Sequence, residues 1–531
     1  MFRKSFMLSL GILGFGTMIG LGTAQQPEQS PGDGKPQPAA AAQEGVEFLA
    51  RGPIHEAYAK PTVRGPASSE IVAKEPPKPI DELAPDQKPE GDNVQWIPGY
   101  WGWDDETTDF LWISGTYRTV PPGRHWVPGY WNQADGGWQR VAGFWGDQAS
   151  EHIELLPPPP DPIEEAVTAA PTEDSSFQPG CWVYRDDRYL WRNGFWTPNR
   201  ADWIWMSDSY VWTPGGYVFV DGYWDYSFRN RGLLFAPVNI DPRYWNRSDW
   251  SYRPSYVVNA GFLLSALFVR PDHYYFGDYY DQRYAGLGFV PWADHRYGRI
   301  PDPTFSYYRW QNRANPNWSR DMRGLYTARR EDAAARPPRT LVQQTTAIQN
   351  ITNKTTTVNN ISNVTNVTAL APLAKVEHVR LQPVTKAQQV EAKQTATQFR
   401  DLSTQRGKQD ALAWKTIQTA TQPGETPKAV KVPFPTTRPA LVKHPEGAAP
   451  PPARPVAPKP EPRPVIKAAV APQPPRTASQ PAPVVRTEAK PAPRAAAAQP
   501  QPAPKPSAAQ PQPAPRPPAS QPKQLENRHK Y

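Results

Sequence analysis

The His/carboxylate residues concentrated between positions 272 and 295 are the first candidates for chemistry. Asp272-His273, Asp278, Asp281 and Asp294-His295 combine imidazole with carboxylate. That donor set suits Zn²⁺ or another transition metal, and the carboxylates alone suit a hard cation. Their spacing matches neither an HExxH helix nor an EF-hand loop. Solvated loop charges with ordinary hydrogen bonds are the competing reading, and no resident metal or cofactor is expected. Asp104-Asp105 and Asp186-Asp187 could pair as glycosidase carboxylates do, but both fall in turn-forming runs where Asp is common. Cys181 is the single cysteine. No base lies near it in sequence to lower its pKa, and one thiol cannot form an intramolecular disulfide. Gly-x-Ser-x-Gly and a Gly-rich phosphate loop are missing from the sequence.

The elements that would position such residues are announced by an aromatic repeat. The quartets Pro98-Gly-Tyr-Trp101, Ser114-Gly-Thr-Tyr117, Pro128-Gly-Tyr-Trp131 and Ala142-Gly-Phe-Trp145 are followed by Pro179-Gly-Cys-Trp182, Asn193-Gly-Phe-Trp196, Ser207-Asp-Ser-Tyr210 and Asp221-Gly-Tyr-Trp224. Most are 14 residues apart. Two positions after the Gly or Asp stands Trp101, Tyr117, Trp131, Trp145, Trp182, Trp196, Tyr210 or Trp224. Three positions before it stands Trp96, Trp112, Trp126, Arg140, Phe177, Trp191, Trp205 or Phe219. Asp208 occupies the glycine slot as a residue that tolerates positive φ. Turn-rich runs separate the copies, so 14 residues fit one strand and one turn. The expected fold is mainly β: an antiparallel meander of aromatic 14-residue repeats, a few short helices after it, and long disordered N- and C-terminal segments. A bulge at the glycine would bring both aromatics to one face, and an interrupted ladder would suit the Pro-Gly pairs; the alternative is that Pro-Gly is itself a turn. Strands are predicted at 231–240, 255–258 and 266–270, with 262–267 able to form a short helix instead. Helices are predicted from Asp302-Pro303 to about Arg313 and from Pro316 to about Ala335.

Composition divides the chain further. Of 68 Pro, 31 lie in residues 421–531, which hold no Trp and carry 17 Lys and Arg against five acids. Twenty of the 21 Trp lie between Trp96 and Trp318. The boundaries read as a signal peptide at 1–24, a disordered Pro/Ala linker at 25–92 and a first repeat block at 93–148. An acidic Pro-rich connector follows at 149–176, then a second block with its β/α extension at 177–335. Residues 336–420 form a polar Thr/Asn/Gln segment, partly helical or stalk-like, before the disordered basic tail. Arg3-Lys4, the apolar run 6–21 and Gly22-Thr23-Ala24 have the form of a cleaved export signal; an uncleaved anchor is the alternative. No later apolar run is long enough to span a membrane. The Asn-x-Ser/Thr sites at Asn350, Asn353, Asn360, Asn363 and Asn366 read as Asn/Thr composition. The basic charge is spread too thinly along the tail to indicate a specific nucleic-acid partner.

Trp96-Ile-Pro-Gly-Tyr-Trp101 and Trp126-Val-Pro-Gly-Tyr-Trp131 resemble the bacterial WXXGXW (YXWGXW) repeat family over residues 93–224. Tyr274-Tyr-Phe-Gly-Asp-Tyr-Tyr280 is similar to the continuation in its long members. The resemblance implies an exported protein, periplasmic, outer-membrane-associated or extracellular, and no established activity. Arg140, Asp208 and Cys181 depart from the pattern. The expectation is a structural or binding component of the cell envelope. A repeat surface of Trp96, Trp101, Trp112, Tyr117, Trp126, Trp131, Trp145, Trp182, Trp191, Trp196, Trp205, Tyr210 and Trp224 would meet envelope polysaccharide or other envelope proteins. These rings could equally be core, since Trp is highly buried on average. The cationic tail would contact an anionic surface. The alternative is an envelope-located enzyme with a His/carboxylate site in residues 231–330.

Overall fold

Consecutive copies of the repeat pair with each other. In the computed structural model, copies one and two form a hairpin in which Val94–Ile97 pairs with Thr116–Thr119 and Tyr100–Asp104 with Asp109–Ile113. Residues 98–99 and 114–115, at the Pro-Gly and Ser-Gly steps, face each other without ladder pairing. Hairpin two pairs Arg124–Val127 with Phe144–Asp147 and Tyr130–Ala134 with Gly137–Val141. Hairpin three pairs Ser175–Gln178 with Phe195–Pro198 and Cys181–Arg185 with Arg188–Arg192. Hairpin four pairs Trp203–Met206 with Tyr223–Tyr226 and Ser209–Thr213 with Gly216–Val220. The expected β-rich, antiparallel class is therefore observed, with two strands per copy rather than one. The break is an interruption, two residues opposite two, and not a bulge. The structure describes residues 43–65, 68–245, 247–353, 367–420, 428–434, 439–441 and 451–463. The signal segment, Asn360, Asn363 and Asn366, and the tail beyond 463 lie outside them.

Register explains the aromatic spacing. The ring three before one glycine lies opposite the ring two after its partner glycine. Trp96–Tyr117, Trp101–Trp112, Trp126–Trp145, Phe177–Trp196, Trp182–Trp191, Trp205–Trp224 and Tyr210–Phe219 are such pairs, with centroids 5.0–5.4 Å apart. Tilted and edge-to-face pairs of this kind add about 0.5–1.5 kcal/mol each beyond area burial. The eighth pairing is Trp131 opposite Arg140.

Hairpin one gains a third arm from Gly232–Leu234 and Val238–Ile240. The predicted strand 231–240 is thus split at Phe235–Pro237, opposite the break at Ser114-Gly115. The second block continues into a sheet of Gly52–Pro53, His273–Phe276, Leu267–Arg270 and Val290–Pro291. The helix Pro303–Gln311 opens on Asp302, which accepts from the Thr304 and Phe305 amides. The next helix is Trp318–Glu331, and 260–265 is a short helix capped by Asn259. Among the described residues no helix is long and apolar enough to cross a membrane.

Two segments expected to stand apart are packed into the body. Residues 43–65 and 68–92, read as linker, bury Ile54, Ala57, Tyr58 and Ile80 in the core. The segment 336–420 supplies the 35-residue helix Lys386–Ala420. Its Ala396, Phe399, Leu402, Arg406, Asp410 and Ala413 are buried. The described tail docks too: Val430–Pro433 pairs with His152–Leu155, and Glu461 bridges Trp191.

Leu402→Ala is expected to cost about 2–4 kcal/mol by opening a cavity under the long helix. Val390→Ala on its exposed face should stay within about 0.5 kcal/mol. Urea denaturation of both variants checks whether the helix is part of the cooperative core.

Candidate binding cleft between the first two hairpins

Interrupting a ladder leaves buried backbone groups that need partners. In each hairpin a carboxylate takes at least one of the freed glycine amides. Glu82 accepts from Gly99 N–H (2.6 Å), Gly115 N–H (2.8 Å) and Trp112 Nε1–H (3.1 Å) in hairpin one. Glu56 accepts from Gly143 N–H (2.7 Å) and from Arg140 (3.3 Å) in hairpin two. Glu165 accepts from Gly180 and Gly194 N–H (3.1 Å each) and Trp191 Nε1–H (2.9 Å) in hairpin three. Hairpin four carries its own acceptor: Asp208, in the glycine slot, accepts from Gly222 N–H (2.7 Å).

This corrects the reading of the repeat glycines and of Asp208. None of them has positive φ. Glycine is needed because the opposite ring lies against it: a Cβ on Gly115 would meet the Trp96 ring, and one on Gly222 the Trp205 ring, at 2.5 Å. Asp208 supplies a carboxylate instead.

Freed carbonyls are met as well. His55 Nε2 lies 3.1 Å from Pro98 O, and Ala57 N–H donates to His55 Nδ1 (3.1 Å), so His55 is the neutral Nε2–H tautomer. Arg406 from the long helix donates to Pro128 O (2.9 Å) and Ala142 O (3.0 Å). Burial lowers His55 to about 4. Burial raises Glu82 despite its three donors. Burial alone would also raise Glu56, but Arg140, His273 and Lys60 outweigh it and hold the carboxyl below its usual range.

Sequence reasoning missed Glu56, Glu82 and Glu165, which lie in segments read as linker and connector. A signal was present. Pro53-Ile-His-Glu56-Ala, Pro79-Ile-Asp-Glu82-Leu and Pro162-Ile-Glu-Glu165-Ala share a Pro-Ile-x-Glu pattern ending on the acceptor.

Hairpins one and two enclose a cavity of about 850 Å³. Trp101 and Tyr100 line it from one side and Trp126, Tyr130, Trp131 and Trp138 from the other. Residues 76–79 and one face of the long helix complete it. A second cavity of about 310 Å³, bordered by Glu70, Arg270, Asp272 and His273, shares Tyr100, Trp131 and Arg140 with the first. Arg140 is where the ring pattern fails. Its guanidinium lies 4.2 Å over Tyr100, and its cross-strand partner Trp131 is only half-buried and donates to Trp101 O (2.9 Å).

Of the proposed surface, Trp96, Trp101, Trp112, Tyr117, Trp126, Trp145, Trp182, Trp191, Trp205, Tyr210 and Trp224 are buried. Trp131 and Trp196 are half-buried. The aligned exposed surface is therefore replaced by paired rings in the core.

The metal candidates are scattered. His273 Nε2 faces Glu56 at 3.5 Å and Nδ1 faces Asp272 at 4.0 Å. Asp278 lies 3.9 Å from Arg339, Asp281 caps a short helix and pairs with Arg336, and Asp294 pairs with Arg323. His295 Nδ1 lies 2.9 Å from Asp302. Among the described residues no three His, Cys, Asp or Glu side chains form a group able to hold a metal ion. Cys181 is buried beside Arg192 and Asp208, and burial pushes its thiol up to about 12. Asp186 and Asp187 form the tip of hairpin three, both at positive φ.

No family model, curated protein or solved structure matches the chain.

Two outcomes follow. Glu82→Ala should cost about 3 kcal/mol or more, since two amides and an indole N–H lose their acceptor; Glu165→Ala, at a half-buried site open to water, should cost less. Urea denaturation separates them. His55 contributes stability that is lost as pH falls from about 6.5 towards 4, because the unfolded chain binds the proton first. The stability gap between wild type and His55→Gln should narrow by about 2 kcal/mol between pH 7.5 and pH 5.

Proposed function

We propose that this chain is an exported repeat protein of the bacterial cell envelope, of the WXXGXW kind, that binds a glycan and does no chemistry on it. The observation that carries the reading is the cleft. Its volume of about 850 Å³ lies within the usual range for ligand sites. Half-buried Tyr100, Trp131 and Trp138 offer ring faces, and sugar rings stack on such faces. The export signal and the cationic tail support an envelope location and contact with an anionic surface or other envelope proteins.

A second reading draws on one contact. His273, from the stretch considered for an enzyme site, meets Glu56 beside the second cavity. A half-buried imidazole against a carboxylate has the form of an acid–base pair. Glu56 is already engaged by Gly143 and Arg140, which favours a structural role.

Co-sedimentation of residues 25–531 with purified envelope polysaccharide tests the binding reading. Trp138→Ala should lower the bound fraction at least about fivefold, in line with the few kcal/mol of a stacking contact. Equal pelleting of variant and wild type, or none by either, contradicts it. Polysaccharide cleavage that His273→Gln abolishes supports the enzyme reading instead.

A further inference from the structure

We propose that the glycan of this cleft is acidic: a carboxylate-bearing oligosaccharide lying along the long helix. The inference rests on the glycan reading above and adds its charge. Lys78, Arg140, Arg400 and Lys408 line the cavity, and Glu56 is the one carboxylate among its described lining residues. Glu56 is turned into the protein, against Gly143, Arg140 and His273. Arg140 is paired with Glu56, so Lys78, Arg400 and Lys408 leave the lining with a net positive charge.

Two donors are also unspent. Arg140 Nε and Arg400 Nε are buried and have no hydrogen-bond partner. Arg400 uses one terminal nitrogen on Ile80 O (3.1 Å). Arg400 lines the cavity, and a carboxylate is the anion that a planar guanidinium fork matches best.

The helix sets the ligand's length. Arg400, Thr404, Gly407, Lys408 and Ala411 face the cavity, at the spacing of one helical stripe. Arg400 and Lys408 are eight residues apart, roughly 12 Å along the axis. A single sugar does not reach both, whereas an oligomer carrying repeated carboxylates does. Aromatic faces opposite the helix receive the rings while the cations receive the acid groups.

The test is a tryptophan-fluorescence titration of residues 25–531 with a uronic-acid oligomer, its carboxyl-reduced neutral counterpart and a polyol-phosphate oligomer. The uronate should bind at least about tenfold more tightly than the reduced form, and less tightly as salt rises. Lys408→Gln, at an exposed helix position, and Arg400→Gln should each erase most of that preference. Trp138→Ala should weaken both sugars. Equal affinity for uronate and reduced oligomer overturns the acidic assignment and leaves the glycan cleft standing. Tighter binding of polyol phosphate than of uronate overturns the carboxylate class. Binding of neither sugar removes the glycan reading itself.

Discussion

A carboxylate placed at the glycine pair of each hairpin is the interaction on which this fold depends. A large ring can sit over the opposite strand only where that strand has no side chain. Glycine provides the space, and Pro-Gly or Ser-Gly steps break the ladder to provide the angle. The cost is two N–H groups turned away from backbone acceptors in a water-poor interior. In hairpins one and three a carboxylate meets both at once, in hairpins two and four it meets one, and hydrogen bonds to a charged group are worth about 1.5–3 kcal/mol each. Where the acceptor comes from outside, as with Glu82, Glu56 and Glu165, the segment that bears it is drawn against the hairpin. Residues that would otherwise trail as linker thereby become core.

The four hairpins solve this problem with paired changes. Trp112 and Trp191 add an indole N–H to the carboxylate. In hairpin four the corresponding residue is Phe219, which has no donor, and the carboxylate sits within the repeat as Asp208. Arg192 of hairpin three pairs with that Asp208, so the third and fourth hairpins are joined through it. In hairpin two Arg140 replaces the indole and meets Glu56 with a charge. That exchange removes one ring from the cross-strand pairs and leaves Trp131 opposite a cation, with Phe110 of hairpin one as its ring neighbour. The cleft lies where the pattern is broken, which ties a sequence departure to the space available for a ligand.

Much of the repeat was legible in the chain. Ring spacing marked all eight copies, polar runs such as Asp186-Asp187 marked the hairpin tips, and Asp302-Pro303 marked a helix start. These signals are local. The acceptor carboxylates were not found because Glu82 and Glu56 reach glycines 17 to 87 residues away. The long helix was hidden for a different reason. Its buried stripe includes Arg406 and Asp410, which pair with each other and serve Pro128, Ala142 and Tyr130. A hydropathy pattern registers such a stripe as solvent-facing. Ring burial also depends on three-dimensional pairing, so a regular aromatic spacing is compatible with surface and with core until the cross-strand partners are known.

Amide hydrogen exchange at the repeat glycines tests the central claim most directly. Gly99, Gly115, Gly143, Gly180, Gly194 and Gly222 donate to side-chain carboxylates. Their amides should exchange as slowly as those of the flanking ladder residues, and Gly99 and Gly115 should lose protection selectively in Glu82→Ala, which removes both acceptor oxygens, while the flanking strands keep theirs. Fast exchange at these glycines in the wild-type protein would contradict the account, since the hairpins would then hold together without the carboxylates.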